Sequence, residues 1–121
     1  MIRVLEIGKI GEEIAEDFLV SKGYSILERR FRSTRWGEVD LIALDKGVLV
    51  FVEVKTRTSE YYGIPSEAIT GYKKAALKRT ANYYCKVNKS APESLRMDVI
   101  SVIMARDSKS AKSITHYENA F

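Results

Sequence analysis

The sequence predicts one α/β domain over residues 1–121, a mixed five-stranded sheet flanked by helices in the order αβββαββ. Three observations predict it. Apolar residues recur at helical spacing from Leu5 to Lys22, two strand-like runs face each other across Lys46-Gly47, and a second helical stretch leads into the apolar run Arg96–Met104. With 121 residues, 45% of them hydrophobic, the chain can bury roughly two-thirds of its unfolded surface in one core and leaves no room for a second.

The first helix carries Ile7, Ile10, Ile14 and Phe18 on one stripe, with Ala15 and Leu19 alongside, and Gly23 stands where it should stop. Tyr24–Arg32 reads as the first strand, around Ile26, Leu27 and Phe31, and Ser33–Gly37 as a loop. The second and third strands are Gly37–Ala43 and Val48–Lys55. A polar loop with Tyr61, Tyr62, Gly63 and Pro65 leads to a second helix from about Ser66, its N-cap, to Val87. There the spacing puts Tyr72, Ala76, Thr80 and Tyr83 against the sheet, flanked by Leu77 and Tyr84. Pro92 breaks the helix, Arg96–Met104 forms the fourth strand and Ser113–Tyr117 the fifth, with Phe121 pinning the tail.

The second and third strands bear charges inside apolar runs: Asp40 in the one, Glu53 and Lys55 in the other. Buried charge without a partner is costly. Alternation puts Glu53 and Lys55 on one face with Leu49, Phe51 and Arg57, and Val48, Val50, Val52 and Val54 on the other. A two-residue turn at Lys46-Gly47 sets Asp40 opposite Glu53, with Cβ atoms about 5 Å apart, where like charges repel. A three-residue loop would instead turn Asp40 to the Val52 face. In the first register a divalent cation, Mg²⁺ or Mn²⁺, held by Asp40, Glu53 and the backbone carbonyl of Val54, resolves the repulsion and leaves coordination sites for water and phosphate. Such an ion acidifies water and offsets transition-state charge, with Lys55 orienting the water or binding phosphate. The plainer alternative is a hairpin whose carboxylates each pair with a lysine or arginine.

Charge and composition narrow the rest. The net charge of +4 and pI near 9.2 give a moderate basic bias. One cysteine, Cys85, and one histidine, His116, exclude an internal disulfide and a Cys/His zinc site, so any metal is oxygen-bound. The chain shows no signal-peptide core and no spanning apolar run, which predicts a cytoplasmic protein with no membrane partner. Arg29, Arg30, Arg32 and Arg35 cluster around Phe31 and Trp36, and Arg57 follows Lys55. Together they suit phosphates, with Trp36 placed to stack on a base, while a solvated strand edge is the alternative. Lys73, Lys74 and Lys78 on the second helix extend the basic track.

The passages Gly37-Glu38-Val39-Asp40-Leu41-Ile42-Ala43 and Val50-Phe51-Val52-Glu53-Val54-Lys55-Thr56-Arg57 resemble the signature of the YraN-like family of predicted endonucleases. That family is a branch of the PD-(D/E)XK nuclease superfamily, similar to archaeal Holliday junction resolvases. The likeness extends through Gly8, Gly11-Glu12, Gly23-Tyr24, Glu67-Ala68, Lys73, Arg96-Met97-Asp98-Val99 and Ile114–Phe121. It implies a restriction-endonuclease-like fold, Asp40 and Glu53 as metal ligands, Lys55 as the catalytic lysine and Glu12 as a further ligand. It also implies DNA, branched or distorted, as substrate, and a possible homodimer, since a junction has two sites to cut. Two departures stand out: Val39 replaces the superfamily's proline before the aspartate, and Arg30 stands where the family usually has asparagine. The competing function is a nucleic-acid-binding module that keeps the nuclease scaffold with little or no activity.

Overall fold

The computed structural model describes residues 4–33, 35, 37–58, 71–107 and 109–120. The readings of Trp36, Tyr61, Tyr62, Ser66, Glu67 and Phe121 lie outside these residues. The elements are α1 (Val4–Ser21), β1 (Ser25–Ser33), β2 (Gly37–Asp45), β3 (Val48–Arg57), α2 (Gly71–Val87), β4 (Leu95–Met104) and β5 (Ala111–Tyr117). They form one mixed sheet in the order β1-β2-β3-β4-β5. All neighbours are antiparallel except β3 and β4, which are parallel because the connection through α2 returns the chain to the same end of the sheet. This αβββαββ arrangement is consistent with a restriction-endonuclease-like fold.

The hairpin turn decides the register. Lys46 and Gly47 both take positive φ, 49° and 81°, as a tight two-residue connection between twisted strands requires. Asp45 therefore pairs with Val48 and Leu41 with Val52, where the ladder ends; Asp40, the next residue, lies close enough to Glu53 for their charges to repel. Of the two registers open to the sequence, this is the one that brings the carboxylates together.

Alternation then divides the core. Val50 and Val52, with Leu41, Ala43, Ile100 and Val102, pack under Ala15 and Leu19 of α1; Val48 and Val54 join that layer. Leu49 and Phe51, with Ile42, pack under Leu77, Ala81 and Tyr84 of α2. The face of α2 differs from the sequence reading. Leu77, Thr80, Ala81 and Tyr84 are buried, whereas Tyr72 is 83% exposed and Tyr83 38%. The buried stripe is rotated by about one residue from that reading because small Ala81 allows close approach and Leu77 fills the space over Val39 and Phe51. Tyr72, in the first turn, projects beyond that packed stripe.

The sheet's other buried charge is structural. Asp98 is fully buried and accepts hydrogen bonds from Arg96 Nε at 3.0 Å, from His116 Nε2 at 2.7 Å and from the backbone N–H of Asn119 at 2.9 Å. Burial pushes this carboxyl up, but those hydrogen bonds outweigh burial and hold it below its ordinary range. Lys22 Nζ lies 2.9 Å from His116 Nδ1, and Ala120 N–H donates to Met97 O, so the tail is tied to β4 by polar bonds. Arg96 and Asp98, two residues apart on one strand, share a face of the sheet, whereas His116 reaches Asp98 from β5.

Candidate active site

Asp40 sits where two strands change face. Val39 and Phe31 pack in the α2 layer, whereas Leu41 packs in the α1 layer and Arg29 reaches back to Glu16 of α1. Between Arg29 and Phe31, Arg30 adopts φ 50°, a left-handed conformation rare for a side chain of this kind. Since β1 pairs with β2 through Arg29↔Leu41 and Phe31↔Val39, the left-handed residue lies beside Asp40. The asparagine usual in the resembled family would adopt that conformation more easily than arginine.

The switch places Asp40 within reach of both layers. Its Oδ2 accepts a 2.8 Å hydrogen bond from the backbone N–H of Val54. Burial, then repulsion from Glu53, raises its carboxyl to about 7, with Glu12 pushing the same way and the Val54 hydrogen bond and Lys73 opposing. Glu53 is 5% exposed; its Oε1 lies 3.3 Å from Lys55 Nζ and 3.5 Å from Lys73 Nζ. Its Oε2 is buried and has no hydrogen-bond partner among the described residues. A buried carboxylate oxygen left without a donor, next to a second carboxyl held near neutrality by burial and repulsion, is the donor set that suits a hard cation.

Glu12 is placed less directly. Its Oε1 accepts from Arg30 Nε at 2.9 Å, and among the described residues no three acidic, imidazole or thiol groups gather closely enough to hold one ion. The structure thus brings Asp40, Glu53 and Lys55 together and adds Lys73, while Glu12 stands beside them engaged with Arg30. What seats α1 so near is Gly11. A Cβ there would come within 2.9 Å of Thr56 Cβ and nearer still to the rest of that side chain, so only glycine lets the helix lie on the end of β3.

The arginines of β1 are engaged with acids: Arg29 with Glu16, bidentate, Arg30 with Glu12, and Arg32 with Glu38 at 3.1 Å. All three keep more than half of their side-chain surface exposed, so a phosphate can reach them in competition with those carboxylates. Arg57 Nη1 donates to the carbonyl of Thr56 beside the site. Arg35, Gly37, Glu38, Tyr72, Lys73, Ala76 and Leu77 line a cleft of about 340 Å³ between the start of β2 and the start of α2. Lys74 and Lys78 follow along α2, half-buried and exposed.

Comparison with known proteins sets this site in a family. The model of "Uncharacterised protein family UPF0102" matches residues 11–102, from Gly11 of α1 through Asp40, Glu53 and Lys55 to Val102 near the end of β4. The chain belongs to the UPF0102 family. A UPF0102 protein of Pelotomaculum thermopropionicum is 44% identical over 115 residues, covering 95% of this chain and 94% of the relative. UPF0102 protein TTE1452 of Caldanaerobacter subterraneus is 41% identical over 115 residues, 95% and 93% of the two chains. UPF0102 protein STH1475 of Symbiobacterium thermophilum is 50% identical over 98 residues, 79% and 80%. Among the described residues of this UPF0102 chain, no helix is long and apolar enough to cross a membrane.

Proposed function

We propose that this UPF0102 protein is a Mg²⁺- or Mn²⁺-dependent endonuclease that hydrolyses phosphodiester bonds in DNA, with branched or distorted DNA as substrate. The observation that carries the reading is the Asp40/Glu53 pair: two mutually repelling carboxylates, one of them, Glu53, buried with an orphaned oxygen, beside Lys55. Asp40 and Glu53 would hold the ion, with the Val54 carbonyl as a further donor and Glu12 able to join on release from Arg30. The ion's chemistry is to acidify water and offset charge on the phosphoryl group. Lys55, half-buried and anchored on Glu53, orients the nucleophilic water or binds a non-bridging phosphate oxygen, and the hydrogen bond from Val54 fixes the Asp40 carboxylate. Lys73 supplies a second cation over the same carboxylate, and Arg29, Arg30, Arg32, Arg35 and Arg57 hold flanking phosphates.

The test is a panel of flap, four-way-junction, single-stranded and duplex DNA incubated with Mn²⁺. Cleavage by the wild type and its loss in Asp40→Ala and Lys55→Ala are expected. Wild-type-like cleavage by purified Asp40→Ala protein overturns the mechanism. Salt-dependent DNA binding with no cleavage of any substrate favours the binding-module reading.

A further inference from the structure

Tyr72 is the feature that the nuclease chemistry leaves unused. It is a large aromatic residue, 83% exposed, in the first turn of α2, and its neighbour Lys73 reaches Glu53 at 3.5 Å. Its ring lines the 340 Å³ cleft together with Arg35 and Lys73, and Ala76 and Leu77 form an apolar wall. That volume lies near the lower end of small-ligand sites, room for one nucleotide rather than a duplex. Arg35 and Lys73 bring two cations to the cleft against one lining carboxylate, Glu38, which Arg32 engages, while Lys73 also reaches Glu53; an anionic phosphate can compete for them.

We propose, building on the nuclease reading, that this cleft binds one unpaired nucleotide beside the scissile bond. Its base stacks on Tyr72 and its phosphate faces Lys73 and Arg35. A base inside a duplex has no face to offer the ring, whereas an unpaired or extruded base does, and stacking tolerates any base. The substrate class is thereby narrowed to DNA with an unpaired nucleotide next to the cut, such as a flap, a bulge or the centre of a junction.

Binding is measured in EDTA, so that no cleavage enters, with oligonucleotides carrying 2-aminopurine in a single strand, at a bulge or within a full duplex. The wild type should quench the unpaired probes and bind them in preference to the duplex. Tyr72→Ala should weaken that binding about tenfold or more, and Tyr72→Phe should retain it. Because the side chain is exposed, neither variant should change the thermal melt. Equal binding by Tyr72→Ala and wild type, or no preference for the unpaired probes, overturns the inference; absence of any oligonucleotide binding assigns the cleft another occupant and overturns it too. Tyr72-dependent quenching with no cleavage in Mn²⁺ would leave this inference standing and sink the nuclease reading, and cleavage with Tyr72-independent binding does the reverse.

Discussion

Replacing Asp40 with asparagine should make the metal-free protein more stable, by an amount that depends on pH. In the fold the Asp40 carboxyl titrates at about 7, against 3.8 for the ordinary group, because burial and Glu53 penalise its charge. Below the unfolded value, both states carry the proton and the aspartate costs nothing relative to the amide. As pH rises through the interval between the two values, the unfolded chain releases the proton first, so the wild type loses stability at about 1.4 kcal/mol per pH unit. The loss is complete above the folded value and amounts to about 4 kcal/mol. The amide introduced by Asp40→Asn keeps an acceptor for Val54 N–H and cannot carry the charge, so the pH dependence of the difference between the two proteins reads the Asp40 carboxyl. Urea denaturation in EDTA should therefore show Asp40→Asn ahead by about 1 kcal/mol at pH 4.5 and by about 4 kcal/mol at pH 8. Added Mn²⁺ should raise the wild type's stability and leave the variant's unchanged. A difference between the two proteins that does not vary with pH refutes the electrostatic account of this pair.

Further substitutions probe how the site is held. Gly11→Val should destabilise the fold by about 1–3 kcal/mol through its collision with Thr56, read as a lower urea midpoint, and Thr56→Ala in the same chain should recover part of the loss. Arg30→Asn should raise stability by up to about 1 kcal/mol, since relief of a left-handed backbone worth about 1–2 kcal/mol exceeds an exposed ion pair worth at most about 1 kcal/mol. A loss of thermal stability in Arg30→Asn would show that its pairing with Glu12 matters more than the backbone.

How much of the fold and site is legible in the sequence follows from the range of each cause. The order of elements, the hairpin and the faces of β3 follow from local periodicity and from Lys46-Gly47, whose left-handed turn fixes the register within a few residues. Asp40, Glu53 and Lys55 are readable as charges within apolar strands, but the sequence leaves two registers open, and the turn geometry selects the one that brings Asp40 near Glu53. The phase of α2 is not readable, because an amphipathic stripe bounded by tyrosines is set by what the sheet beneath can accommodate, and periodicity alone turns Tyr72 inward. The arginines of β1 stand together in sequence, yet their engagement with Glu12, Glu16 and Glu38 depends on a helix laid across the strand.

The sequence by itself determined a five-stranded α/β domain and two carboxylates on facing strands, since alternation and turn chemistry act over neighbouring residues. The tertiary structure alone decided that Gly11 lets α1 down onto Thr56, that both strands change face at Arg30 and Asp40, that Lys73 joins Glu53, and that Tyr72 looks into a cleft. Those outcomes depend on which distant surfaces meet, and steric fit and burial between them, rather than local pattern, select the arrangement.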